Sequence, residues 1–149
     1  MKIEDLLDIE AIRMLRMRYS YNLDICEVDG LVDLFTDDAV CEFGPFGTWN
    51  GKNEIGSNFE KAVVTLRERG PLQSLHVNTN HSVELTGPNT ALGRVYLIDL
   101  AVGDADKNPL VWLGIYDEAY RKIMGQWKIE RSSLQFLWPE RHLTRNFRR

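Results

Sequence analysis

The chain has 149 residues, 44% of them apolar and 27% charged, with a formal charge of −4. That composition suits one soluble domain with a real core and gives no general attraction to nucleic acid or to an anionic membrane. No apolar run reaches bilayer length, and the start Lys2-Ile3-Glu4-Asp5 is too charged for a secretory leader, so a cytoplasmic protein without a membrane partner is expected.

In chain order, Ile9, Ile12, Leu15, Tyr19 and Leu23 recur at steps of three and four, the helical period. They predict a helix from near Ile3 to near Asp24, with Arg13, Arg16 and Arg18 taking largely other directions. A second short helix fits Val28 to Phe35, broken by Thr36-Asp37-Asp38. Ala39 to Phe43 and Thr48 to Trp49 read as a hairpin around Gly44-Pro45-Phe46-Gly47, and Gly51 to Arg69 as a third helix closed by Gly70-Pro71. Four long strands follow, Leu72 to Leu85, Ala91 to Val102, Leu110 to Lys122 and Trp127 to Trp138. The short turns between them predict antiparallel pairing. Helices first and a long meander second point to α+β, with about three helices packed in the concave face of a strongly curved, mostly antiparallel sheet. Cys26 and Cys41 lack metal or redox spacing and fit as small core hydrophobes of a reduced protein. The expected organisation is one domain over 1–149, with a basic tail over 139–149 carrying Arg141, Arg145, Arg148 and Arg149.

This element order, with Phe35-Thr36-Asp37-Asp38-Ala39-Val40 after the second helix, resembles the cone-shaped α+β barrel of the nuclear transport factor 2-like superfamily. The closing run Gly114-Ile115-Tyr116-Asp117-Glu118-Ala119-Tyr120 through Gly125-Gln126-Trp127-Lys128-Ile129-Glu130-Arg131 strengthens the likeness. Within it the chain resembles the SnoaL-like branch, which holds scytalone dehydratase, bile acid 7α-dehydratase and hexachlorocyclohexane dehydrochlorinase. Tyr19 precedes Asp24 by five positions, as a tyrosine precedes an aspartate in the bile acid enzyme. His76-Val77-Asn78-Thr79-Asn80 resembles the segment that opens with the dehydrochlorinase's catalytic histidine, and Asp24 falls where that enzyme's dyad aspartate lies. The resemblance implies catalytic Asp24, His76 and Tyr19, no metal or organic cofactor, and a homo-oligomer, dimer or trimer. Leu97, Val111, Leu113 and Ile115 are the apolar residues for such pairing.

These residue types suit proton abstraction beside a carbonyl. Histidine works as a base near neutral pH, a buried aspartate fixes its tautomer, and a tyrosine can stabilise the oxygen on which charge develops. Loss of hydroxide or halide from the next carbon then completes an elimination. Strand alternation sets His76, Asn78 and Asn80 on one face as a pocket wall and the rival base His81 on the other, unless a bulge reverses it. Five residues of continuous helix turn Tyr19 about 140° away from Asp24, so a shared pocket requires the helix to end or bend near Leu23. Phe43, Trp49 and Trp112 are expected to bind an apolar or carbonyl-containing ligand, with Phe46 and Phe136 as further aromatic lining. The resemblance adds Arg131, near the place of a pocket arginine in related enzymes, and Arg94 is a further inward candidate.

Two other readings use the same fold. A ketosteroid-isomerase-like base would follow a glutamate after the Asp-Asp-Ala segment, and here Glu42 is followed by Phe43. A non-catalytic ligand carrier, or a structural subunit like the β subunit of aromatic-ring dioxygenases, remains as the alternative class.

Overall fold

A computed structural model of the chain describes residues 2–145 and 147. Helix α1 spans Ile3–Asp24, α2 Val28–Val32 and α3 Lys52–Arg69. The strands are β1 Phe35–Glu42, β2 Thr48–Asn50, β3 Ser74–Gly87, β4 Thr90–Ala101, β5 Leu110–Ile123 and β6 Gln126–Trp138. They form one six-stranded sheet in the order β2-β1-β6-β5-β4-β3. The β3–β6 meander is antiparallel as expected, whereas β1 runs parallel to β6, so the sheet is mixed and open, with β2 and β3 at its edges.

Helix α1 begins where the Asp5 carboxylate accepts the Lys2 backbone N–H at 2.8 Å, with Glu4 and Asp5 favourably placed at the positive end of the helix dipole. Its buried stripe is Ile12, Leu15, Arg16, Tyr19, Ser20, Leu23 and Asp24. Arg16 therefore lies on the inner face, against the expectation that the three arginines point elsewhere. Helix α2 stops at Val32, three residues short of its expected end. Phe35-Thr36-Asp37-Asp38 is strand: Phe35 and Thr36 are buried while Asp37 and Asp38 face solvent.

Helix α3 starts after Gly51 and ends at Gly70, both at positive φ, a conformation glycine adopts without the Cβ clash of other residues. Register shifts in β3, β4, β5 and β6 bend the sheet around α1 and α3. The core fills that concavity, from Ile12 and Leu15 through Ile55, Phe59 and Val63 to Val95 and Ile129. Leu97 points into this core and is no part of the outer face, where the alternation of β5 puts Leu113 and Ile115. Cys26 and Cys41 are both buried free thiols.

The segment after β6 returns along that strand. His142 pairs antiparallel with Phe136, and Gln135 bonds Thr144 through both its amide nitrogen and its oxygen. Arg148 and Arg149 of the basic tail lie outside the described residues. Among the described residues, no helix is long and apolar enough to cross a membrane.

Candidate active site

Asp24 is the last residue of α1, where a negative charge opposes the helix dipole and needs compensation. Compensation comes from β3. Both carboxylate oxygens accept the His76 backbone N–H at 3.1 Å, and Oδ1 lies 2.6 Å from His76 Nδ1. The Asp24 carbonyl also accepts the Leu72 N–H at 2.9 Å, so one residue pins the entry to β3. A carboxylate this close calls for the proton on Nδ1, which leaves Nε2 with its lone pair.

His76 lines a cavity of about 540 Å³ between α1, α3 and the inner face of β4–β6. Tyr19, Phe43, Trp49 and Trp112 line it as expected, with Phe46 and Phe136. Their rings meet edge to face, Phe43 with Trp49 at 4.9 Å and Trp112 with Phe136 at 4.8 Å between centroids. Helix α1 runs unbroken to Asp24. Tyr19 and Asp24 flank opposite sides of its buried stripe, with Tyr19 lining the cavity and Asp24 reaching His76 from behind the ring.

Asp99, which sequence reasoning missed, completes the group. It sits directly opposite His76 in the β3–β4 pairing and also lines the cavity. Its Oδ1 is 3.9 Å from His76 Nε2 and accepts the Ser74 hydroxyl at 3.3 Å. Burial pushes the Asp99 carboxyl above the usual carboxylate range, against the opposing pull of His76 and the Ser74 hydrogen bond. The available signal was the register of the hairpin, which pairs an inward His76 with an inward Asp99.

Other expected site residues fall elsewhere. Asn78 faces inward but donates to the Ser20 hydroxyl of α1 and does not line the cavity. Asn80 is exposed, at φ 53° within a register shift between Thr79 and Ser82. That bulge turns His81 to the inner face, the reversal that plain alternation misses. Arg131 and Arg94 do not line the cavity either. Arg131 pairs with Ala119 on the outer side of a shift in β6, and Arg94 Nε lies 2.8 Å from Asp117 Oδ1.

His81 joins a second polar group, beyond the cavity wall. Its Nε2 is 3.3 Å from the Tyr120 hydroxyl, which donates to Glu118 Oε2 at 2.5 Å. Glu118 Oε1 accepts from Ser132 at 2.7 Å and from Arg16 Nη1 at 2.9 Å. The Arg16 and Glu118 side chains are 1% and 0% exposed, so this is a sealed ion pair. Burial opposes the Arg16 charge, yet Glu118 holds the guanidinium above its ordinary range, while burial draws the His81 ring down. Among the described residues, no group of three or more His, Cys, Asp or Glu is placed to hold a metal ion.

The profile of the family described as SnoaL-like domain matches residues 4–133. Among solved structures, a candidate scytalone dehydratase from Novosphingobium aromaticivorans is 21% identical, with a TM-score of 0.79 and 97% of each chain covered. A hexachlorocyclohexane dehydrochlorinase from Novosphingobium barchaimii LL02 is 18% identical, with a TM-score of 0.74 over 99% of this chain and 97% of its own. A candidate aromatic ring hydroxylase from Novosphingobium aromaticivorans is 28% identical, with a TM-score of 0.74 over 90% of this chain and 92% of its own. No curated protein matches the chain.

Proposed function

The chain belongs to the SnoaL-like domain family, and we propose that it is a cofactor-independent lyase, a dehydratase or dehydrohalogenase acting on a small, largely apolar compound. The observation that carries this reading is the 2.6 Å contact between His76 Nδ1 and Asp24 Oδ1, with the same ring lining an aromatic cavity.

With Nδ1–H held by Asp24, Nε2 of His76 takes a proton from the carbon beside the activating group. Asp24 stabilises the imidazolium that forms, which is the role of the orienting carboxylate in hydrolase triads. Tyr19 donates a hydrogen bond to the oxygen on which charge develops. Its phenol is pushed well above the ordinary tyrosine value by burial, so it remains a donor at neutral pH.

The electron pair then forms the double bond and expels the group on the next carbon. A halide leaves unaided. A hydroxyl leaves as water once it receives a proton, and Asp99, a cavity-lining carboxyl that burial pushes above the usual carboxylate range, is the acid assigned to supply it. Transfer of the proton from His76 Nε2 back to Asp99, 3.9 Å away, restores both groups after the product departs.

A carrier reading uses the same apolar wall without the dyad. Turnover of a panel of β-hydroxy and β-halo carbonyl compounds by the wild-type protein and His76→Ala separates the two. The lyase reading expects wild-type turnover and a loss of about 10²–10⁴-fold in the variant. Equal rates in both, or binding without turnover in the wild type, would contradict it.

A further inference from the structure

The two long helices each turn a face to solvent, and only one of those faces is ordinary. Helix α3 exposes charged residues, Glu54, Glu60, Lys61, Arg67 and Glu68 among them, as a surface helix does. Helix α1 exposes Ile3, Leu6, Leu7, Met14, Met17 and Tyr21, and Ile3 is 73% open to solvent. These residues are not scattered. Positions 3, 7, 10, 14, 17 and 21 recur at alternating steps of four and three, a heptad seam in which Glu10 is the polar member. At about 100° per residue, the seam lies opposite Ile12 and Tyr19, which the core buries. None of the seam residues lines the cavity. Leu113 and Ile115, the apolar residues on the outer face of the sheet, are by contrast half-buried.

Charges flanking the seam change sign along it. Its first half carries Glu4 and Glu10 and its second half Arg13 and Arg18, all exposed. A second α1 laid antiparallel, about a two-fold axis near Ala11, brings opposite signs together. Glu4 meets the partner's Arg18, and Glu10 meets the partner's Arg13. Ile3 then packs on the partner's Tyr21, and Leu7 on the partner's Met17. Ala11, small and exposed, sits at the crossing and lets the two axes approach. Antiparallel helices also oppose their dipoles, whereas a parallel pair would set acidic half on acidic half and basic on basic. Within one copy the Glu10–Arg13 contact is long, 4.0 Å, and exposed, so both groups can turn to a partner. A lipid surface is the poorer occupant, because membrane-surface helices carry Lys and Arg along the polar face and half of this one is acidic.

We infer that the exposed face of α1 binds a second copy of this chain, as an antiparallel helix pair centred near Ala11. The pair braces, from its far side, the helix that carries Tyr19 and Asp24, and no seam residue enters either cavity.

Sedimentation velocity over a concentration series up to about 100 µM measures the mass of wild type, Met17→Glu, Glu10→Arg and Arg13→Glu. The wild type is expected to have twice the mass of Met17→Glu at the same concentration. The same halving is expected if a contact elsewhere builds a larger assembly. Glu10→Arg and Arg13→Glu are each expected to self-associate at least about tenfold more weakly, from like charges brought together at the axis. Mixed one to one, these two variants are expected to regain association, since one copy then presents two cations at the axis and the other two anions. A short bis-maleimide is expected to join two copies of Ala11→Cys. It is expected to join those of Glu4→Cys far less, because antiparallel pairing sets these sites more than about 20 Å apart along the axis. Cys26 and Cys41 are buried, and wild type serves as the blank.

Equal mass of wild type and Met17→Glu at every concentration would overturn the α1 pairing. A mixture no more associated than its two components would do the same. Equal linking of Ala11→Cys and Glu4→Cys would overturn the antiparallel arrangement. A wild type that stays monomeric and floats with phosphatidylcholine vesicles would replace the second copy with a lipid surface.

Discussion

Two polar groups on one face of α1 meet different fates. Arg16 near its middle and Asp24 at its end both reach the sheet, and both find an oppositely charged or hydrogen-bonding partner more than fifty residues away. Around Glu118 the circle closes: Arg16, Ser132 and Tyr120 all donate to one carboxylate that water does not reach. Around His76 the circle stays open. Nδ1 is held by Asp24, whereas Nε2 faces the cavity with Asp99 at 3.9 Å, beyond hydrogen-bond distance. The closed group suits a structural clamp, and the open one leaves a ring nitrogen facing the cavity, as the proposed proton abstraction requires.

The comparison breaks most sharply at Arg16. Arg16→Met leaves Glu118 charged, buried and short of its cation, and is expected to cost about 3–5 kcal/mol in chemical unfolding. Changing Glu118 to Gln in the same protein is expected to recover part of that loss.

In the open group the largest effect is expected in catalysis. Asp24→Asn removes the charge that stabilises the imidazolium and is expected to lower turnover roughly 10²-fold or more. Asp99→Asn is expected to slow loss of a hydroxyl by about tenfold to a hundredfold and to affect loss of a halide less. The pH–rate profile for hydroxyl loss adds a sign test. The proposed step needs Asp99 protonated, so the rate is expected to fall as pH rises through that carboxyl's raised pKa, and the asparagine variant is expected to lack this limb.

The smallest effect belongs to an outlying ion pair. Asp8 accepts from Lys122 Nζ at 2.6 Å and from Trp127 Nε1 at 2.9 Å, and these bonds hold its carboxyl below the ordinary value of 3.8. Its stabilisation is present above that value and is lost as pH falls through the lowered one. Asp8→Asn is expected to cost about 1 kcal/mol or less near neutral pH, and nothing at pH low enough to protonate the aspartate.

The cone and the two residues that meet in it, Asp24 and His76, were legible because local signals and the family resemblance agreed. The three-four spacing of Ile12, Leu15, Tyr19 and Leu23 defined α1, and the short turns set the meander. The segments Tyr19 to Asp24 and His76 to Asn80 matched those of related enzymes.

What was hidden depends on pairing between distant residues. Arg16 reads as a solvent-facing charge beside Arg13 and Arg18 until Glu118 is brought across from β5. Asp99 reads as an isolated charge in an apolar strand until β3 lays His76 against it. The bulge at Asn80 carries no glycine to announce it, so alternation put Asn80 in and His81 out, the reverse of their burial. A similar shift in β6 hid the outward course of Arg131. Phe35 read as the end of the second helix and Thr36 to Asp38 as its breaker because the two acidic residues face solvent from a strand.

Hydrogen exchange at the activated carbon tests the central claim most directly. A β-hydroxy ketone turned over by the wild-type protein is followed by NMR in heavy water, with His76→Ala in parallel. Proton abstraction by His76 predicts loss of the α-proton signal in the wild type and a rate at least about 10²-fold lower in the variant. Equal rates of α-proton loss in the two proteins would contradict the account.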